Sequence, residues 1–192
     1  FGNSSSTPMC YADHFYITNG ESNWYEVKEI VIPNTITEIG SNQFYGFENV
    51  TGITLPNTVT SIGNSAFYNC SSLKSINLPS ILTSIGSYSF YNCSSLDSID
   101  LPATLINIGA KAFYNCESLT NVKIPELITN IQSDTFYKCI KLKTCELPYS
   151  LESIGGSAFR YCYSLQSIKI PSSVTSIGSY AFNSCSSLKE IT

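Results

Sequence analysis

The sequence predicts a repeat solenoid, built mainly of short parallel β-strands with short helical or 3-10 turns on the opposite side. Three observations predict it. A proline returns every 23 residues, at Pro33, Pro56, Pro79, Pro102, Pro125, Pro148 and Pro171. A phenylalanine follows each of them eleven positions later, at Phe44, Phe67, Phe90, Phe113, Phe136, Phe159 and Phe182. Cysteine keeps the same beat at Cys70, Cys93, Cys116, Cys139, Cys162 and Cys185. Self-similarity at a short fixed period marks units that cannot bury an apolar face alone and do so by stacking on one another.

The elements of one repeat follow in order from its residues. Around Pro79, alternation at Ile76, Asn77 and Leu78 reads as a short strand with Ile76 and Leu78 inward. Pro79 has no N–H to donate, so it ends the pairing and turns the chain. Leu82 and Ile85 bring a second short extended piece against the core, and Gly86 allows the next bend. From Tyr88 to Cys93, Phe90 and Cys93 lie three apart, so one helical turn puts both on the core side. Parallel stacking at the strand spacing of ~4.8 Å makes the repeats an array roughly 34 Å long.

Composition narrows the function classes. Of 192 residues, 43% are hydrophobic, enough for a continuous core, while only 12% are charged and Ser, Thr, Asn and Tyr fill the surface. A net charge of −4 with a pI near 4.9 argues against nucleic acid, which needs a dense Lys/Arg footprint. No apolar run approaches the ~20 residues of a membrane span. The chain starts with neither a signal peptide nor an initiator Met, as expected of a trimmed or processed protein.

The two ends differ. Residues 1–9 are small and polar and read as a flexible segment. Residues 10–29 lack the full repeat, yet Trp24, Val27 and Ile30 fall on its apolar positions, and Asn19-Gly20 is a hairpin signal. They are expected to form an N-terminal cap. Residues 30–192 then hold about seven repeats. Thr192 falls just after the strand of an eighth, which leaves an open edge able to pair and suggests that the native array continues.

The string Leu73-x-x-Ile76-x-Leu78-Pro79, with Ile177-Gly178, Ala181-Phe182 and a Cys-x-x-Leu in the other copies, resembles the BspA-like leucine-rich repeats over about Val27 to Thr192. The general leucine-rich repeat carries an asparagine two residues after the position of this proline. Here Thr35, Thr58, Thr104, Ser150, Ser173, Ile81 and Leu127 stand there, so the asparagine ladder is absent. The resemblance implies a leucine-rich repeat solenoid on a bacterial or protozoal cell surface, binding a host extracellular-matrix or cell-surface protein. It implies no enzyme activity, no cofactor and no fixed set of ligand residues.

Reactive residue types mostly read as scaffold. Phe47 takes the cysteine position in the first copy, so that position is apolar and buried, and the six cysteines are expected to be reduced structural thiols. Cys145 stands where other copies have Ile or Val. One cysteine per coil does not close the tetrahedron that zinc needs. The lone histidine, His14, has no nucleophile motif near it. Glycines recur singly, as turn residues rather than as a phosphate loop, and carboxylates are scattered. Catalytic and metal sites are therefore not expected. Of the sequons at Asn3, Asn49, Asn69 and Asn92, the last two precede buried cysteines and read as accidents of the repeat.

Two surface rows remain as candidate binding faces. Outward residues of the first strand form Val31, Thr54, Asn77, Asp100, Lys123, Glu146, Lys169 and Thr192. Asn77, Asp100, Lys123, Glu146 and Lys169 vary where the framework is fixed, and so offer a protein-binding face. Their alternating signs equally allow a ladder that neutralises itself. The second row is Tyr45, Tyr68, Tyr91, Tyr114 and Tyr137, continued by Arg160 and Asn183. It reads either as stacking between copies or as a stripe for protein or sugar. The functional expectation is a non-catalytic surface-binding or adhesion module, with a structural spacer array as the alternative.

Overall fold

The structure is a computed structural model that describes residues 26–191. One 23-residue unit makes one coil, numbered here by its proline from coil 1 (Pro33) to coil 7 (Pro171). The flexible segment 1–9, nearly all of the expected cap 10–29, His14, Cys10 and Thr192 lie outside the described residues. Coils 1 to 3 carry β1 (Glu29–Val31), β2 (Glu38–Ile39), β3 (Gly52–Thr54), β4 (Ser61–Ile62), β5 (Ser75–Asn77) and β6 (Ser84–Ile85). Coil 4 carries only β7 (Asn107–Ile108). Coils 5 to 7 carry β8 (Asn121–Lys123), β9 (Asn130–Ile131), β10 (Thr144–Glu146), β11 (Ser153–Ile154), β12 (Ser167–Ile168) and β13 (Ser176–Ile177), and β14 (Glu190–Ile191) follows.

All pairing is parallel and in register at one repeat, as Ile30 with Ile53 and Ile53 with Ile76 show. The alternation read from Ile76 to Leu78 holds at its centre, with Ile76 buried, Asn77 exposed and Leu78 half-buried. Inside the coils, Phe44 to Phe182 stack face to face with centroids 5.2 to 5.6 Å apart. Each ring from Phe67 to Phe159 is covered by the ring above and below it, so no coil holds its core alone.

The side opposite the strands takes the form of consecutive turns, and helices are nearly absent among the described residues. Tyr91 N–H reaches the Tyr88 carbonyl at 3.1 Å and Cys93 N–H the Phe90 carbonyl at 3.1 Å. Tyr88 and Asn92, however, have φ of 58° and 59°, left-handed values that interrupt any helix. The reason lies in the next coil: Tyr88, Phe90 and Asn92 point their N–H groups at the carbonyls of Ala110, Ala112 and Tyr114, at 3.0, 2.8 and 2.8 Å. Those donors join coil to coil, where a helix would use them within one coil.

The glycine after the second strand serves close approach rather than a special φ. A Cβ on Gly109 would overlap the Ser87 backbone nitrogen in coil 3. Coil 5 has Gln132 at this position. At that one step the second-strand sheet is broken, into β2-β4-β6-β7 and β9-β11-β13. Gly109 and Gly155 donate to Ile85 and Ile131 of the preceding coils at 2.9 and 2.7 Å. The equivalent bond from Gln132 to Ile108 is absent. The first-strand sheet is interrupted beside it, because residues 97–101 of coil 4 join no ladder. A seam therefore crosses the strand faces between coils 4 and 5, while the turn side stays joined through Phe113 N–H to Thr135 at 2.9 Å.

Candidate functional site

The first-strand row stands in register and exposed. Val31 pairs with Thr54, Thr54 with Asn77, and Lys123 with Glu146 across the ladders. Inward Ile30, Ile53, Ile76, Val122 and Cys145 are buried, which forces their neighbours outward. Of the alternating charges, only Lys123 and Glu146 meet, with Nζ to Oε2 at 3.9 Å and both side chains more than two-thirds exposed (76% and 72%). Such a pair contributes little in water. Asp100 and Lys169 form no ion pair with their neighbours in the row. Two open grooves flank the row: one between coils 4 and 5 lined by Asp100, Leu101, Lys123 and Glu126, the other between coils 5 and 7 lined by Lys123, Glu146, Tyr149 and Lys169.

The tyrosine row is a continuous stack. Tyr45, Tyr68, Tyr91, Tyr114 and Tyr137 lie with centroids 4.4 to 4.6 Å apart and ring planes within 10° of parallel. Desolvation by burial, and then the neighbouring phenols Tyr91 and Tyr45, push the Tyr68 hydroxyl above its ordinary pKa. Tyr114 is raised likewise, by burial first and then by Tyr137 and Tyr91. The ring faces are occupied by one another, so the row presents edges and hydroxyls. It ends on Arg160, whose guanidinium lies over the Tyr161 and Tyr180 rings at 4.7 and 5.1 Å and donates to the Tyr161 hydroxyl at 2.9 Å.

The cysteine row is internal. Cys70, Cys93, Cys116, Cys139, Cys162 and Cys185 are buried free thiols, as is Cys145 on β10. Each of the six donates to the carbonyl of the phenylalanine one coil back, at 3.1 or 3.2 Å. Burial pushes the Cys70 thiol up to about 12 and the Cys185 thiol up to about 11, and the other five upward as well. No group of three or more His, Cys, Asp or Glu gathers to hold a metal among the described residues. No helix among them is long and apolar enough to cross a membrane.

The row two residues after the proline bonds coil to coil, a role its residue types did not reveal. Hydroxyls take over the role of the missing asparagine ladder: Thr58 donates to the Ile36 carbonyl at 2.6 Å, Thr104 to Ser80 and Leu82 at 2.9 and 2.7 Å, and Ser173 to Tyr149 and Leu151 at 2.8 and 2.6 Å. Ser150 bonds the Glu126 and Ile128 carbonyls in the same way. The two apolar departures, Ile81 and Leu127, were visible as breaks in the period, but their exposure was not.

A family model for the BspA type leucine rich repeat region matches in six copies, over residues 17–139 and 106–192. Among solved structures, a leucine rich cell surface protein from Faecalibacterium prausnitzii A2-165 is 36% identical with a TM-score of 0.81, and the match covers 86% of this chain and 47% of that one. A leucine-rich repeat protein from Eubacterium ventriosum ATCC 27560 is 32% identical with a TM-score of 0.76, covering 85% and 44%. Another from Bacteroides ovatus ATCC 8483 is 29% identical with a TM-score of 0.62, covering 86% and 55%. The chain thus spans about half the length of these proteins. None of the curated proteins matches it.

Proposed function

Because the chain belongs to the BspA-type leucine-rich repeat family, we propose that it is a non-catalytic cell-surface module whose first-strand face binds a host extracellular-matrix or cell-surface protein. The observation that carries this reading is the exposed row Asn77, Asp100, Lys123, Glu146 and Lys169, whose residue types change in charge and polarity while the buried residues beside them stay apolar. Framework positions are held by packing; a row free to vary on a rigid face is where recognition can be set without cost to the fold. Surface location is supported by the similarity to the cell surface protein from Faecalibacterium prausnitzii.

The test is surface plasmon resonance against a panel of matrix proteins. Lys123→Glu and Asp100→Lys are each expected to weaken binding roughly tenfold, with no change in thermal midpoint, because both side chains are exposed. Unchanged binding in both variants removes the strand face from the reading. A second reading, a structural spacer that holds another domain away from the surface, is favoured by the Lys123–Glu146 pair and the closed tyrosine stack, since both satisfy themselves. It expects no specific ligand for this chain.

A further inference from the structure

Aliphatic residues break the hydroxyl rows at the corner between the two strands in three places, all in adjacent coils, and Glu152 breaks the second row once more in coil 6. At the second position after the proline, Thr58, Thr104, Ser150 and Ser173 donate to the coil before. At the fourth position, Thr60, Thr83 and Thr175 do the same. Ile81 and Leu127 interrupt the first row in coils 3 and 5, and Ile106 interrupts the second in coil 4. All three are exposed, at 44, 54 and 61% respectively. Threonine at these positions would leave less apolar surface in water, and in coils 3 and 4 it would stand where equivalent hydroxyls donate to the coil before, so stability does not account for the aliphatics.

Two of the three also flank the seam, and Ile81 lies one coil before it. Ile106 and Leu127 stand on its two sides, where coils 4 and 5 share no strand ladder. Tyr149, 76% exposed, carries the apolar surface on into coil 6. Around it Asp100, Glu126 and Glu152 have no ion pair among the described residues, and the nearby Lys123 faces Glu146. An apolar centre with an acidic rim has the anatomy of a protein interface.

We propose that this corner docks a cationic amphipathic protein segment, its apolar stripe on Ile81, Ile106 and Leu127 and its Lys or Arg flank facing Asp100, Glu126 and Glu152. The proposal deepens the protein-binding reading above and rests on it. The free carboxylates select the sign of the segment, and the three aliphatics spread over coils 3 to 5 select its apolar stripe.

The repeat itself supplies the variant for the test, since Ile81→Thr/Ile106→Thr/Leu127→Thr restores residues that equivalent positions already carry. Fluorescence anisotropy on the intact chain uses a labelled helical peptide of leucine and lysine, with a leucine–glutamate peptide of the same pattern as control. The lysine peptide is expected to bind with about micromolar affinity and the triple variant roughly tenfold more weakly, with an unchanged or raised Tm. Glu126→Gln/Glu152→Gln is expected to weaken binding and flatten its salt dependence. Equal binding of the glutamate peptide, full binding by the triple variant, or a lowered Tm in it overturns the proposal. So does binding to zwitterionic phospholipid vesicles that the triple variant loses while neither peptide binds, which would make the corner a lipid contact. The Lys123→Glu result with a matrix protein reports on the strand face separately, so the two readings fail independently.

Discussion

The Cys93 thiol donates to the carbonyl of Phe67, one coil back, at 3.2 Å. The same carbonyl accepts the Cys70 N–H at 3.2 Å, so the sulfur is the second donor to a buried oxygen. Alanine or valine could fill much of the space but could not donate. The cysteine row is thus a hydrogen-bonding ladder as well as an apolar one.

That ladder makes the fold labile in alkali. Burial holds the seven thiols protonated well above the ~8.5 of a thiol in the unfolded chain. Below that value both states are protonated and nothing is lost. Above it the unfolded chain sheds protons and the fold does not, so each thiol removes about 1.4 kcal/mol of stability per pH unit until its own raised pKa is reached. The six deeply buried thiols together remove roughly 8 kcal/mol per unit, and Cys185, more open to water at the end of the row, adds less, so the total is comparable to a whole domain's stability. Far-UV circular dichroism against pH is expected to show unfolding near pH 10. A disulfide-exchange reagent is expected to find these thiols unreactive in the native chain at pH 7.5 and fully reactive in denaturant.

Ser89→Ala is expected to stabilise the chain by about 1 kcal/mol. The Ser89 hydroxyl is fully buried and has no hydrogen-bond partner, while Ala66, Ala112 and Ala158 fill the same position in other coils. Urea denaturation measures it as a higher midpoint at constant slope.

Tyr91→Ala removes two stacking contacts at once, with Tyr68 at 4.5 Å and Tyr114 at 4.5 Å. A loss of about 1–3 kcal/mol is expected by denaturation. Tyr45→Ala, at the first ring of the described row, removes one such contact and should cost about half as much.

Gly109→Ala and Gln132→Gly should act in opposite directions. An alanine Cβ at 109 would overlap coil 3 backbone, and a loss of roughly 3 kcal/mol or more is expected. Gln132→Gly removes the Cβ from the seam. Hydrogen exchange should then slow at Thr129 and at position 132, whose N–H groups lack the bonds that Glu152 and Gly155 of the next coil make back to Thr129 and Ile131, at 2.7 and 2.7 Å.

The coil length, the core and the faces of the first strand were legible because period and alternation are direct records of stacking. Pro33 to Pro171 and Phe44 to Phe182 could keep one beat only if every coil sits on the last. The turn side was less legible. A three-residue spacing of Phe90 and Cys93 fits a helical turn and a run of β-turns equally, and a hydrogen bond to the next coil decides between them. The strand row could be placed from Ile76 and Asn77, but not its pairing: Lys123 meets Glu146 and Asp100 meets neither neighbour, because coil 4 has dropped out of the ladder. Gln132 looked like one variable residue among many, since the role of its position is visible only from the coil beneath.

The in-register rows have a consequence for how such a chain can change. Phenylalanine, tyrosine, thiol, hydroxyl and glycine each align with their own kind one coil away, so inserting or deleting one residue within a coil shifts all five rows at once. The loss is collective, and no local repacking restores it. Adding or removing a whole coil leaves every row intact. Length in this architecture is therefore quantised, with one 23-residue turn as the smallest heritable step.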